Sequence, residues 1–446
     1  LRTLYEEFLR RRRIEETATR EKPTIGRNLS SWLRERFPPN IFTLLKLAGE
    51  VAQELGFSAY LVGGSVRDLL RGEENLDIDI VVEGDGISFA RTLGEKFDAK
   101  VRAHQKFGTA QIIAAGTKLD VATARTEYYE SPAALPKVET SSIKKDLYRR
   151  DFTINTLAVK LNPKDFGLLI DFFGGQRDLR EKTIRVLHNL SFVEDPTRAF
   201  RAIRFSERFG FKISKHTENL IKSTIEMNLF EKLSGPRLYE ELLLSFHETE
   251  AIKTLKRLSE FGLLKIIHPR LLFNAELEAT LKSLQETLSW FNLLFLEEKT
   301  DRGILYLMTL LSSLGNEDAS AALERLSPPP RAKTMIARGL SQAKDILRSL
   351  PPDDPAGTFR LLHNQKLEII LYMMAISKDR KKQKAISHYL TESRTVKPIL
   401  TGEDLKNMGI PPGPLYSRIL NELLDEKLKG QLRTREEEEQ FVKSRL

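Results

Sequence analysis

Asp77 and Asp79 stand two residues apart in the run Asp77-Ile78-Asp79-Ile80-Val81-Val82. On a β-strand, residues two apart share a face, which puts the two carboxylates roughly 6–7 Å apart at Cα. Ile78, Ile80 and Val82 then point the other way, into a core. Two like charges on one face repel unless a cation sits between them. Mg²⁺ carrying a nucleoside triphosphate is the natural cation, and two ions are expected. The plainer alternative is a strand end with two solvated aspartates. Just upstream, Tyr60-Leu61-Val62 reads as a short strand, and Gly63-Gly64 as a tight turn with no Cβ in the way. Ser65 is predicted to cap a short helix that Gly72 closes. The N–H groups of such a turn suit a phosphate, so Gly63, Gly64 and Arg67 are predicted to hold one.

Three further stretches offer chemistry. Asp120 ends a β-like run and is a candidate third carboxylate, or simply a residue of a strand-end turn. Arg149-Arg150-Asp151 reads as two arginines before a capping aspartate and a helix start, an arrangement able to bind phosphate or ribose. In Glu194-Asp195-Pro196-Thr197-Arg198, Asp195 and Pro196 form a good helix-starting pair. Arg198, Arg201 and Arg204 follow at intervals of three and line one side of that helix. Cytosine and adenine each offer an exocyclic NH₂ beside a ring-nitrogen acceptor. A carboxylate accepts from the first and a guanidinium donates to the second. Uracil and guanine would meet the wrong partners. Asp195 with Arg198 could therefore choose C and A without a template strand.

These strings together resemble the class II tRNA nucleotidyltransferase and bacterial poly(A) polymerase family. The Leu61–Asp68 stretch and Asp77-x-Asp79 resemble its metal-binding signature. Residues 149–157 resemble Arg-Arg-Asp-Phe-Thr-Ile-Asn-Ala, departing only in Thr156 for Ala. Residues 194–198 resemble the Glu-Asp-x-x-Arg motif, in which side chains stand in for a template base. Residues 171–178 and 235–241 resemble two further motifs, read as a tight link and a helix bracing the neck. The resemblance covers roughly residues 58–250. It implies that Asp77 and Asp79 hold metal and Asp120 orients or activates a 3′-hydroxyl. It also implies that Arg150 contacts the triphosphate, that Asp151 helps select a ribose, and that Asn155 lies in the same nucleotide site. The implied activity is template-independent addition of C, A or both, from CTP and ATP, to the 3′ end of tRNA, with release of pyrophosphate. A-only addition, CC-only addition and poly(A) synthesis stay open as alternatives, as does a non-catalytic RNA-binding protein on the same scaffold.

The elements that must position these residues are legible in outline. Residues 58–175 mix short strands with helices: a helix at 87–97 and strands at 100–104, 110–114 and 119–122. After about 180 helical periodicity dominates, which gives an α+β class. The resemblance implies a nucleotidyltransferase head with a mixed sheet, then an all-helical neck, body and tail. The expected divisions are a basic linker over 1–40, a head over 41–180, a neck over 181–250, a body over 251–350 and a tail over 351–446. Residues 128–143 carry two prolines and no period and are predicted to be a mobile loop.

The 446 residues are 41% hydrophobic and 30% charged, enough for two or more packed domains. A net charge of +9 points to a polyanionic partner, and the basic helical half is predicted to bind the acceptor arm and elbow of tRNA. There is no cysteine, hence no disulfide and no thiolate metal site. No apolar run reaches the length of a membrane span, and a cytoplasmic location is expected. The start at Leu1, with charged residues close behind, suggests no secretory signal, and the lack of Met suggests a fragment.

Overall fold

A computed structural model describes residues 27–114, 117–128, 133, 134 and 136–445. The chain divides into two compact units that meet between Arg237 and Leu238. The first holds every predicted site residue. It opens with helices α1 (Ser30–Arg36) and α2 (Pro39–Glu54). In α2 the apolar residues recur at helical spacing, so that Ile41, Leu44, Leu45, Ala48, Val51 and Ala52 are buried together. Gly49 lets this helix touch backbone directly, since a Cβ there would lie 1.8 Å from the Leu161 carbonyl oxygen.

The sheet has seven strands in the order β3-β4-β5-β2-β1-β8-β9. These are β1 (Ser58–Val62), β2 (Ile78–Glu83), β3 (Lys100–His104), β4 (Thr109–Ala114), β5 (Thr117–Thr123), β8 (Ala158–Lys160) and β9 (Leu169–Ile170). β2 and β5 are parallel, whereas β1 runs antiparallel to β2 and to β8, as a mixed sheet requires. Between β1 and β2 lies α3 (Gly64–Arg71), and after β2 comes α4 (Gly86–Lys96). One face of the sheet, including Ile78, Ile80 and Val82, packs on the helical core. On the other face Tyr60, Val62 and Val81 pack with Ile143 and Leu147 of α5 (Ile143–Tyr148).

Several expectations need correction. The linker predicted over 1–40 is not one where the structure describes it. Asn28 bridges to Leu168, and Leu29, Leu33 and Phe37 are buried in the head core. They stand four residues apart as one apolar stripe, a helical signal outweighed by the basic and polar composition of the stretch. The loop predicted over 128–143 is partly strand. β7 (Lys137–Thr140) pairs antiparallel with β6 (Arg125–Tyr128), and α5 already starts at Ile143. Residues 129–132 and 135 lie outside the described ones. Ser65 does not cap α3. Gly63 holds that position at φ +73°, so the helix begins one residue after it, and the Ser65 hydroxyl donates to the Val62 carbonyl. Gly72 closes α3 in a left-handed conformation, as expected.

The first unit continues with α6 (Gly175–Arg180) and the short parallel pair β10 (Thr183–Ile184) and β11 (Lys212–Ile213). α7 (Ser191–Glu194), α8 (Thr197–Phe209), α9 (Lys215–Glu226) and α10 (Gly235–His247) follow. The border between the units falls within α10, so the neck expected over 181–250 spans it.

The second unit is helical throughout its described residues, from α11 (Ala251–Glu260) to α21 (Arg435–Lys443). Near its end Leu400, Leu405, Ile419, Leu423 and Val442 form a small core. Glu438 is fully buried there, satisfied by the Ile399 and Leu400 N–H groups and by Lys427 Nζ at 2.8 Å. Among the described residues no helix is long and apolar enough to cross a membrane.

Candidate active site

Asp77 lies one residue before β2, and Asp79 lies on it. Parallel pairing sets Asp79 directly opposite Asp120 of β5. Asp120 is thus in mid-strand rather than at a strand end, and the register alone brings it to the other two. Carboxylate oxygens of Asp77, Asp79 and Asp120 lie within 4.8 Å of one another. Asp120 is held by Gln111 Nε2 at 3.0 Å and Lys118 Nζ at 2.9 Å. Burial and the Asp77 charge push the Asp79 carboxyl up to about 6, against the opposing pull of Arg150. Three converging acids, one of them pushed up by its neighbours, form a donor set that suits a hard divalent cation such as Mg²⁺.

The raised Asp79 carboxyl gives metal affinity a definite pH dependence. Below pH 6 a proton competes for the ligand, and above it the carboxylate is free to bind. Mn²⁺ should therefore bind about tenfold more weakly at pH 5 than at pH 8, the effect of one pH unit below the pKa. Titration calorimetry at the two values checks this, and equal affinities would remove Asp79 from the metal site.

All the other predicted residues line a single cavity of about 940 Å³, together with Asp77 and Asp79. Gly63 enters it in a left-handed conformation, φ +73°, that a side chain strains. A Cβ there would sit 2.8 Å from a guanidinium nitrogen of Arg150 and 3.8 Å from Asp79 Oδ2. Arg150 thus reaches the mouth of the glycine turn beside the acids, with Nη2 3.4 Å from buried Asp146.

One residue behaves differently from expectation. Asp151 caps no helix, because α5 ends at Tyr148 and only a single 3₁₀ turn, Thr153–Asn155, follows. Its Oδ1 accepts instead from Phe152 N and Asn155 Nδ2, and its Oδ2 pairs with Arg201 at 2.7 Å. Burial pushes this carboxyl up, but the Arg201 charge and these bonds win and leave it below the usual range. Arg67 lines the cavity; Nε and Nη2 donate to Asp68 at 2.8 and 2.7 Å and Nη1 to Asn155 Oδ1 at 2.7 Å, which leaves a further N–H on each Nη. It also orients Asn155, closing a chain Arg67–Asn155–Asp151–Arg201 along the cavity wall.

On the neck side, Asp195 Oδ1 accepts from Thr197 N and Oγ1, so the helix-starting role is real. The same oxygen also takes Arg237 Nη2 at 2.7 Å. Arg198 is nearly buried, and its guanidinium is fixed by Ser191 Oγ at 2.9 Å and the Arg149 carbonyl at 2.8 Å. Arg198, Arg201 and Arg204 all face the cavity, as their spacing predicts. Sequence reasoning missed Arg237, which was read only as part of a bracing helix. Arg149, expected beside Arg150 as a phosphate or ribose contact, lines the cavity with its guanidinium spanning Asp146 and Glu127. The signal at Arg237 was its place in the 235–241 motif, but only folding brings it to Asp195.

Comparison with known proteins agrees with this geometry. Residues 59–185 match the model of the poly A polymerase head domain, and residues 210–275 match that of a probable RNA- and SrmB-binding site of polymerase A. The A-adding tRNA nucleotidyltransferase of Halalkalibacterium halodurans is 34% identical over 93% of this chain and 95% of its own. The chain belongs to the tRNA nucleotidyltransferase and poly(A) polymerase family. The A-adding tRNA nucleotidyltransferase of Geobacter sulfurreducens is 45% identical over 93% of this chain but 48% of its own length. The chain thus spans about half the length of this relative and of another curated relative from Aquifex aeolicus. A solved CCA-adding enzyme in an apo form superposes with a TM-score of 0.80 at 40% identity, over 95% of this chain and all of that one.

Proposed function

We propose that this family member transfers a nucleotidyl group from a nucleoside triphosphate to the 3′ end of tRNA, and that it adds adenosine. One observation carries the reading. The acids Asp77 and Asp79 open on the same cavity as the pair Asp195 and Arg198. Chemistry at the phosphate and choice of the base are then served from one bound nucleotide. The adenosine assignment is supported by two relatives that each match 93% of this chain and are named A-adding tRNA nucleotidyltransferases.

Asp77, Asp79 and Asp120 would hold Mg²⁺, which supplies charge neutralisation at the triphosphate and a lowered pKa for the attacking 3′-hydroxyl. Arg150, beside the glycine turn, would bind the triphosphate through charge-assisted hydrogen bonds. Asp195 would accept from the exocyclic amine of the base while Arg198, held rigid by Ser191 and Arg149, donates to the ring nitrogen. The Asp151–Asn155 network would keep the ribose side of the cavity in place. The helical unit from residue 238 onward would bind tRNA largely through its phosphates, with an affinity that falls steeply as salt rises.

The test is incorporation of each labelled nucleotide into tRNA transcripts lacking the whole CCA end, lacking CA, or lacking only the terminal A. ATP should label only the last, and CTP none. CTP entering the first transcript would make this a CCA-adding enzyme, and long adenylate tails on any RNA would make it a poly(A) polymerase.

A further inference from the structure

A second cavity, of about 440 Å³, lies in the first unit outside the residues assigned above. It is formed where α1, the end of α3, α6 and the end of α8 come together. Trp32, Leu179, Phe209 and Phe211 give it an apolar floor. Arg27, Arg71, Arg180 and Lys182 stand around it, with Glu73 the one acid.

Arg71 pairs with Glu73 at 2.7 Å and with Asp68 at 3.6 Å. Arg27, Arg180 and Lys182 make no ion pair among the described residues, so the cavity carries a local excess of positive charge. Gathering cations without counter-charges costs folding free energy that a bound anion would recover. The aromatic floor is firmly built. Arg27 and Arg36 stack on Trp32 at 4.0 and 4.6 Å, and Arg71 stacks on Phe209 at 4.2 Å. Arg67 of the first cavity lies over Phe209 at 4.6 Å, so that ring stands between the two cavities.

Aromatic rings overlaid by guanidinium planes, with further cations around them, match one chemistry above others: an aromatic base joined to phosphate. The volume also fits, since small-ligand sites span about 300–1,000 Å³. Guanidinium planes such as Arg27 stack bases and pair with phosphate oxygens in the same contact. We propose that this cavity is a second ribonucleotide-binding site, taking a base and its phosphate either from an RNA strand or from a free nucleotide. The site stands on its own geometry and does not depend on the reaction assigned to the first cavity.

Trp32 is a built-in reporter. The chain has two tryptophans, so Trp290→Phe leaves Trp32 alone. In that full-length background, a short oligoadenylate and ATP are each titrated against tryptophan emission. Quenching by the oligomer at lower concentration than by ATP identifies an RNA strand, and quenching by ATP at the lower concentration identifies the free nucleotide. Either supports the site. Arg180→Glu with Lys182→Glu, both exposed positions, should weaken the quenching ligand about tenfold, the scale of losing phosphate contacts. Melting curves show whether that variant is folded, and Lys182→Gln provides a milder second variant. Absence of quenching by both ligands, or quenching unchanged in the folded double variant, would overturn the proposal. So would tripolyphosphate binding as tightly as ATP, because the floor would then read no base.

Discussion

Asp79→Ala should lower nucleotide incorporation at least about a thousandfold while leaving the fold at least as stable as the parent. Metal at a transferring phosphate is worth several kcal/mol of transition-state stabilisation, and each 1.36 kcal/mol is tenfold in rate. Asp79 stands between the other two acids by register, opposite Asp120 and two residues from Asp77. Its loss therefore breaks the set rather than trimming it. The stability half of the prediction follows from the pKa. A carboxyl raised to about 6 in the folded chain destabilises the fold once it is ionised, that is, as pH rises through that value. At pH 8 without metal, removing it should therefore raise stability, by on the order of 1–3 kcal/mol. Incorporation assays in Mg²⁺ and metal-free melting curves are read together. Normal turnover by the variant would end the metal assignment, and a large fall in melting temperature would mark Asp79 as a structural residue.

Asp195→Ala should change which nucleotide is used, more than how fast the best one reacts. Losing a bidentate base contact costs about 1–3 kcal/mol of discrimination, or roughly 5- to 150-fold in preference. UTP and GTP should gain on ATP by that factor in kcat/KM. The metal acids are untouched, so total activity should fall far less than in Asp79→Ala. The structure adds a complication and a control. Asp195 also caps α8 and neutralises Arg237, so its removal should cost about 1 kcal/mol of stability through the cap alone. Arg237→Met keeps the carboxylate and the cap but frees Asp195 from its ion pair. It should move the same preference ratios in the same direction, by a smaller factor. If both variants melt earlier with all four ratios fixed, Asp195 merely starts a helix and base choice lies elsewhere.

What is local was legible from the chain alone. Asp77 and Asp79 on one face, with Ile78, Ile80 and Val82 in the core, follow from the two-residue period of a strand. The arginine stripe of α8 follows from helical spacing, and the Gly63 turn from a conformation that disfavours a Cβ. The motif order carried the family as well. Tertiary structure alone decided the rest, because spacing shows which residues share a face and never which elements lie side by side. Asp120 reaches the acids only because β5 pairs parallel with β2 in that register. Arg237 meets Asp195 from 42 residues on. Each of these depends on a contact between distant segments, whose free energy is set by the whole fold and leaves no periodic trace in the chain.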